Sequence, residues 1–209
     1  PEQSNRPLCC GRTFLSTGMV ERARSEASRL VTTFLPFAKA GVPIVGLEPS
    51  CLLALRDEVP ALLNDEASRI VAGIAMTFEE LLARDKPDLP LKKAAGNALL
   101  HGHCHQKAFD AVRPIEEVLG WIDGLDVTPI ESSCCGMAGA FGYGADSYDI
   151  SMQMANENLL PAIRKADADD LLIADGTSCR CQIKDGTNRN AKHVALVLDS
   201  YLDDTKTTN

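Results

Sequence analysis

Two copies of the tripeptide Cys-Cys-Gly, 125 positions apart, distinguish this chain of 209 residues: Cys9-Cys10-Gly11 and Cys134-Cys135-Gly136. Adjacent cysteines do not readily form a disulfide with each other, because the bridge requires specific Cβ positions. Two thiolates on consecutive residues instead suit a soft metal ion or an iron–sulfur cluster. The repetition indicates that the pairs are not accidental.

The composition limits the class of protein. With 45% hydrophobic and 24% charged residues, the chain resembles an ordinary globular protein and is long enough to bury a core without disulfides. The eight cysteines are therefore not needed as a disulfide framework. A net charge of −8 and only 5% aromatic residues disfavour nucleic-acid binding. No apolar run is long enough for a transmembrane segment, and we expect a cytoplasmic protein.

The sequence repeats beyond the cysteine pairs. Leu35-Pro36 aligns with Leu160-Pro161 at the same offset, and Ser50-Cys51 aligns with Ser178-Cys179 at an offset of 128. Each half then contains a cysteine-pair loop, an amphipathic helix, a short apolar strand and a Ser-Cys. We expect two related halves, residues 1–96 and 97–209.

Hydrophobic periodicity predicts an α/β fold with parallel sheets. The expected helices cover residues 19–39, 52–59, 66–84, 107–119, 147–165 and 191–202, and Pro114 is expected to kink or divide the fourth. The expected strands cover residues 42–47, 98–101, 127–130 and 170–174. These strands are short and apolar, which is typical of buried parallel sheets.

The first half is shorter than the second before its cysteine pair. A strand ending near His101 precedes Cys134 by about thirty residues, whereas only eight residues precede Cys9. We therefore expect the chain to start inside the first repeat, with the matching strand upstream of Pro1.

The cysteines are predicted at strand ends or in loops, where open α/β sheets form their sites. Cys104, Cys134, Cys135 and Cys179 are expected at one edge of one sheet, which suits a [4Fe–4S] cluster. Gly136 lets the backbone approach closely, Lys107 and Arg180 add positive charge, and His103 and His105 flank Cys104. The remaining candidate ligands are three residues of the first half and one after Cys179: Cys9, Cys10, Cys51 and Cys181.

Other readings of the cysteines remain open. A zinc site could combine His103 or His105 with cysteines, although the usual Cys-x-x-Cys spacing is absent. Cys179-Arg180-Cys181 could form a thiol–disulfide centre. Any single cysteine could be a small buried hydrophobe.

Five motifs now give a resemblance to a known family. They are residues 8–12 (LCCGR), 48–51 (EPSC), 103–107 (HCHQK), 131–139 (ESSCCGMAG) and 175–179 (DGTSC). In this order they resemble the cysteine-rich CCG domain family, which includes a component of heterodisulfide reductase and the iron–sulfur components of glycolate oxidase. The residues of these motifs are most similar to those in the C-terminal domain of FAD-linked oxidases of the D-lactate and D-2-hydroxyglutarate dehydrogenase type.

The resemblance implies an iron–sulfur cluster held first by Cys104, Cys134, Cys135 and Cys179, with Cys181 a weaker ligand candidate. Cys9, Cys10 and Cys51 either complete this site or form a second one. The chain departs from the heterodisulfide reductase pattern, since it ends in Cys179-x-Cys181 and has a lone Cys51. That departure leaves the cluster type and number open.

The resemblance also implies the function. We expect an iron–sulfur electron-transfer domain of a flavin-linked 2-hydroxyacid dehydrogenase, with FAD on a separate domain or subunit, a ferredoxin-type domain and an electron acceptor as partners. Those partners could hold it at the inner face of the membrane. The isolated chain should not oxidise a hydroxy acid, and no catalytic residue is assigned. The alternatives are a cluster-based disulfide reductase and a zinc-binding interaction module.

Overall fold

A computed structural model describes residues 6–203 and divides the chain into two compact units, Pro1–Thr77 and Phe78–Asn209. Each unit has its own parallel sheet with helices packed against it, so the expected α/β fold is confirmed. The division lies earlier than the sequence-based boundary at residue 96, so residues 78–96 belong to the second unit. The strand expected before Pro1 lies outside the described residues.

The first unit contains five helices and two strands within its described part: α1 Arg12–Ser16, α2 Val20–Lys39, β1 Ile44–Gly46, α3 Pro49–Ala54, α4 Glu58–Leu63, α5 Glu66–Ile74 and β2 Ala75–Thr77. β1 and β2 pair in parallel, with Ile44 opposite Ala75. Ala23, Ala27 and Leu30 lie at helical spacing on α2, and each is buried, which gives this helix one apolar face.

The second unit has more elements: α6 Phe78–Asp85, β3 Gly96–Leu100, α7 Cys104–Ala108, α8 Arg113–Leu119, β4 Leu125–Pro129, a 3₁₀ turn Phe141–Tyr143, α9 Tyr148–Glu157, α10 Leu159–Lys165, β5 Leu171–Ile173, α11 Thr177–Thr187 and α12 Val194–Tyr201. Its strands pair in parallel in the order β4-β3-β5. Two apolar clusters fill its core, one containing Leu160 and Ile183 and the other containing Leu100 and Ile115.

The prediction of one continuous helix over residues 66–84 is wrong, because a strand interrupts it. Ala75 leaves the helical conformation and begins β2, which supplies β1 with its parallel neighbour. Ala75 and Thr77 are both buried, so pairing and packing outweigh the helical periodicity of this segment. Two helices, α5 and α6, flank the strand.

Two other expected helices are each divided. The 107–119 segment breaks at Asp110, which has φ of 54°, and α8 restarts with Pro114 in its first turn, where a missing N–H costs nothing. The 147–165 segment breaks at Asn158, so that Pro161 falls in the first turn of α10. The helix expected over 52–59 is instead α3 and α4, and α11 has no counterpart among the expected helices.

No helix within residues 6–203 is long and apolar enough to cross a membrane.

Candidate metal centre

Four thiols of the second unit meet at the carboxyl edge of its sheet. Cys104 begins α7 after β3, Cys134 and Cys135 lie in the loop after β4, and Cys179 lies in the first turn of α11 after β5. Parallel strands end at the same edge, so these segments converge. The Sγ atoms of Cys135 and Cys179 are 3.4 Å apart. Cys134 contacts both Cys104 and Cys135. We call these four side chains the thiol group.

The loop after β4 requires glycine at position 136. Gly136 has φ of 88°, and a Cβ there would lie 2.1 Å from the carbonyl oxygen of Ser151 in α9. The Gly136 N–H donates to Cys134 Sγ at 3.3 Å. A side chain would therefore both strain the backbone and push the loop away from α9. Gly136, expected near the site from the sequence, is part of the thiol environment.

Gly176 gives Cys179 its close approach to α7. A Cβ at position 176 would lie 2.6 Å from His103 Cδ2 and 3.2 Å from Cys179 Sγ. His103 is buried and caps α7, since its Nδ1 accepts from the His105 N–H at 3.2 Å. The absence of a side chain at Gly176 leaves room for both the cap and the thiol.

His101 lies beside the thiol group, although it was not among the site residues predicted from the sequence. It is 1% exposed, and its Nδ1 lies 2.9 Å from Ser132 Oγ. Its Nε2 has no oxygen or nitrogen partner among the described residues. One ring nitrogen lies within 4.8 Å of both Cys135 Sγ and Cys179 Sγ. Its place at the end of β3, close to Cys104 in sequence, was the available signal.

The thiol group contains both acidic and weakly acidic thiols. Contact with Cys104 holds the pKa of Cys134 far below its usual range, and contact with Cys135 lowers the pKa of Cys179 to about 5. Contact with Cys134 is the main cause that raises the pKa of both Cys104 and Cys135, and burial adds to it. Thiolates are the metal-binding form of cysteine, and the lowered pKa values of Cys134 and Cys179 favour that form in two of the four side chains.

The predicted positive neighbours have different surroundings. The Lys107 ammonium donates to the Ser132 carbonyl, and burial lowers its pKa while the nearby thiolates oppose that shift. The Arg180 guanidinium donates to the carbonyls of Ala174 and Asp175, so it holds the end of β5. Lys107 is therefore the cation whose charge acts on the thiol group.

Two residues that the sequence analysis placed near the site, His105 and Cys181, have other neighbours than the thiol group. His105 packs edge-on against the rings of His103 and Phe109, with ring centroids 5.8 and 6.5 Å away. Cys181 lies beside Tyr143 and lines a cavity of about 370 Å³ with Lys184. Successive residues of an α-helix are rotated by about 100° around the helix axis. Cys179 and Cys181, two residues apart in α11, therefore point to different sides of the helix.

The three cysteines of the first unit line a cavity of about 380 Å³ together with apolar residues such as Leu30 and Phe34. Contact between Cys10 and Cys51 lowers the pKa of Cys51 to about 7 and raises that of Cys10. Cys9 Sγ accepts from the Gly11 N–H at 3.4 Å.

The two Cys-Cys-Gly segments have the same local geometry. Gly11 has φ of 84°, and a Cβ there would lie 2.6 Å from the carbonyl oxygen of Ala23 in the following helix, as Gly136 would meet Ser151. In each segment the glycine N–H donates to the first cysteine. In each, the second cysteine contacts the cysteine of the Ser-Cys motif, Cys51 or Cys179.

Comparison with known proteins gives one matching family and several relatives. Residues 99–184 match the family described as CCG, cysteine-rich domain. The chain is 29% identical to a component of the anaerobic glycerol-3-phosphate dehydrogenase of Escherichia coli, over 95% of its own length and 50% of that protein. It is 28% identical to D-2-hydroxyglutarate dehydrogenase of Pseudomonas putida, over 91% of this chain and 18% of that one.

A third relative is lactate utilization protein A of Bacillus subtilis, 28% identical over 92% of this chain and 83% of that protein. The chain therefore spans about half the length of the glycerol-3-phosphate dehydrogenase component and a smaller share of the D-2-hydroxyglutarate dehydrogenase. No solved structure matches the chain significantly. Two of these relatives are dehydrogenases or dehydrogenase components by name, and the family resemblance read from the sequence is confirmed.

Proposed function

Residues 99–184 of this chain are a cysteine-rich domain of the CCG family, and on that premise we propose that the chain binds an iron–sulfur cluster and transfers electrons within a flavin-linked 2-hydroxyacid dehydrogenase. The observation that carries the proposal is the thiol group, in which four cysteines from three segments of the chain meet at one sheet edge. When bound, such a cluster supplies one-electron transfer.

The donor set fits an iron–sulfur cluster. Soft thiolates in groups of four hold [4Fe–4S] clusters, and the thiol group supplies that number. The Nε2 of buried His101 has no oxygen or nitrogen partner within the described residues. One nitrogen of the same ring lies within 4.8 Å of Cys135 Sγ and Cys179 Sγ, and contact with His101 helps to lower the pKa of Cys179. The ring is therefore part of the surroundings that a group bound to these thiols would contact.

The surroundings would also stabilise an anionic cluster. The Gly136 N–H already points at Cys134 Sγ, and the Lys107 ammonium lies in the field of all four thiols. Hydrogen bonds and positive charge near the sulfurs raise the reduction potential of a cluster. These two groups would favour the reduced form.

The first unit would provide a related set of ligands. We propose that the two units are two repeats of one ancestral domain, and that Cys9, Cys10 and Cys51 bind metal through the same Cys-Cys-Gly geometry. Three thiolates fall one short of a four-cysteine set, so another donor would be needed. Zinc is the substitute metal that such thiols would most readily take.

The partners follow from the relatives' names, two of which are those of dehydrogenases or their components. We propose that FAD binds to a separate domain or subunit, and that a ferredoxin-type domain passes electrons between it and this chain. The isolated chain would then not oxidise a hydroxy acid. A cytoplasmic location, at the inner membrane face when partners hold it there, suits this role.

The test is anaerobic reconstitution with iron and sulfide of the wild type and of single Cys→Ala variants at positions 104, 134, 135, 179 and 181. We expect each of the first four variants to lose roughly four irons per chain relative to wild type. Cys181→Ala is the matched control, since Cys181 lies on the same helix as Cys179 but beside Tyr143. Equal iron loss in Cys181→Ala and Cys179→Ala would contradict the assignment.

Two measurements separate the alternatives. Turnover of a disulfide substrate by the reconstituted protein with a reduced dye would favour a disulfide reductase. Electron flow from a 2-hydroxy acid to a dye through the assembly that contains the FAD domain, lost in Cys179→Ala, would favour the proposed role.

A further inference from the structure

We infer that a buried hydrogen bond between Gln106 and Asp175 positions Cys104 and Cys179 in the thiol group. Gln106 lies in α7, two residues after Cys104, and Asp175 follows β5, four residues before Cys179. The pair therefore joins the two segments that carry Cys104 and Cys179. As a statement about cluster ligands the inference rests on the proposed function, but its first readout needs no metal.

Every polar atom of the two side chains has a defined partner. The Gln106 Oε1 accepts from the His103 N–H at 3.0 Å, and its Nε2 donates to Asp175 Oδ2 at 2.9 Å. The other carboxylate oxygen, Oδ1, accepts from the Val194 N–H at 3.0 Å. Gln106 is 0% exposed and Asp175 is 1% exposed, so water cannot replace a lost partner.

The direction of these bonds matters as much as their number. The His103 N–H needs an acceptor, so the Gln106 oxygen must face it and the Gln106 NH₂ must face Asp175. Asp175 serves both Gln106 and Val194 because each of its two carboxyl oxygens accepts one of the bonds. The chain of bonds thus fixes His103, which caps α7 immediately before Cys104.

Two other buried side chains lie close to Asp175. His193 Nδ1 lies 3.5 Å from Asp175 Oδ1 and accepts from the Ala195 N–H at 3.0 Å. A carboxyl oxygen of Glu79 lies within 4.8 Å of both residues. Neither residue belongs to α7, so the Gln106 amide is the donor that ties the Asp175 carboxyl group to this helix.

Exchanging the amide of Gln106 and the carboxyl group of Asp175 tests whether the hydrogen bond between them positions the thiols. In Asp175→Asn, the introduced amide has one oxygen for two N–H donors, so one donor loses its acceptor. In Gln106→Glu, the introduced carboxylate faces Asp175 across a buried contact. In the double variant, the new carboxylate accepts from His103 and from the new amide, whose oxygen accepts from Val194. Every hydrogen bond and the net charge are restored.

The measurement is the alkylation rate of Cys104 in the reduced, metal-free chain, resolved by peptide mass spectrometry, together with hydrogen exchange of the His103 amide. We expect each single variant to raise both rates by about tenfold and the double variant to return within about twofold of wild type. Asp170→Asn is the matched control, because Asp170 accepts from Asn97 in an exposed pair and should leave Cys104 unchanged.

The inference is overturned if the single variants leave Cys104 at its wild-type rate, or if the double variant is as reactive as the singles. If a single variant fails to fold, a double variant that folds supports the inference, and a double variant that also fails overturns it. In protein loaded with iron and sulfide, the double variant should regain the wild-type electron paramagnetic resonance signal. A wild-type chain that takes up no iron would refute the proposed function without affecting the Cys104 result.

Discussion

Cys135 Sγ lies 3.4 Å from Cys179 Sγ, although the two residues are 44 positions apart in the chain. One follows β4 and the other follows β5, which are the outer strands of the second unit's sheet. The central strand β3 leads to Cys104 between them. The contact brings together the segments that follow β4 and β5. Cys104, which follows β3, joins the same group through its contact with Cys134.

Replacing Gly136 by Ala should destabilise the second unit strongly. The Cβ would approach the Ser151 carbonyl oxygen to 2.1 Å at a φ of 88°, so we expect a loss of roughly 3 kcal/mol or more. Gly139 is the matched control, since its φ is 74° but no atom lies within 4 Å of its Cβ position. Gly139→Ala should cost only about 1 kcal/mol, the strain of a left-handed alanine. Urea unfolding measures both, and equal losses would contradict the steric account.

Gly176→Ala should impair metal loading more than folding. Its Cβ would push against His103 and against Cys179 Sγ, which lies only 3.2 Å away. The control is Gly186→Ala in α11, the helix that Gly176 immediately precedes. Its Cβ would meet the methyl groups of Leu160 at 2.5 and 2.9 Å, and Leu160 belongs to the apolar core. We expect Gly176→Ala to lower iron content at saturating iron and sulfide. Gly186→Ala should lower the unfolding midpoint but keep its iron, and the reverse pattern would refute the prediction.

Cys51 in the reduced, metal-free chain should be the more reactive thiol of its pair near neutral pH. Contact with Cys10 lowers the pKa of Cys51 to about 7, so its alkylation should reach half its maximal rate near that pH. Cys10→Ala removes the stabilising contact, which raises the pKa and slows alkylation at pH 7.

Cys9→Ala is the control for the reactivity of Cys51. The charge of Cys9 raises the pKa of Cys51, so its removal should leave the profile unchanged or move it to lower pH. A shift to higher pH in Cys9→Ala, or none in Cys10→Ala, would count against the contact.

Asp65 should stabilise the first unit in a pH-dependent way. It caps α5 by accepting from the Ser68 N–H at 2.8 Å, and this bond holds the pKa of its carboxyl below the usual value. Its contribution is therefore complete above the unfolded pKa of about 3.9 and is lost as the pH falls through the lower folded value. Asp65→Ala should cost about 1 kcal/mol at pH 7 and progressively less in acid.

Asp57 offers the comparison for this cap, since it precedes α4 without a capping hydrogen bond from its side chain. Asp57→Ala should change the free energy of unfolding by less than about 0.5 kcal/mol at either pH. An Asp65→Ala loss that is constant with pH would exclude the capping carboxylate as its cause.

The strands, and the positions of the cysteines that follow them, could be predicted because both signals are local in the sequence. Short apolar runs marked β1, β3, β4 and β5, and the cysteines that followed three of the runs came together at one edge. Strand β2 was missed because Ile74, Ala75 and Met76 also fit a helical pattern, and only pairing with β1 decides between the two.

The roles of His101 and Gln106 could not be read from the sequence. A histidine at a strand end has several ordinary structural uses, and the closeness of the His101 ring to Cys135 and Cys179 becomes visible only in the folded unit. Gln106 acts through Asp175, 69 residues away, and no periodic pattern encodes such a contact. Cys181, the weaker ligand candidate from the sequence, lies on the same helix as Cys179 but beside Tyr143, and only the folded structure shows that neighbour.

The central claim is that the thiol group holds an iron–sulfur cluster. The most direct measurement is the iron, zinc and acid-labile sulfide content of the full chain isolated without exposure to air, beside the variant lacking Cys104, Cys134, Cys135 and Cys179. We predict iron and sulfide in equal amounts, roughly four of each for the cluster at this site, and their loss in the four-cysteine variant. Stoichiometric zinc without iron in the wild type, or undiminished iron in the variant, would contradict the account.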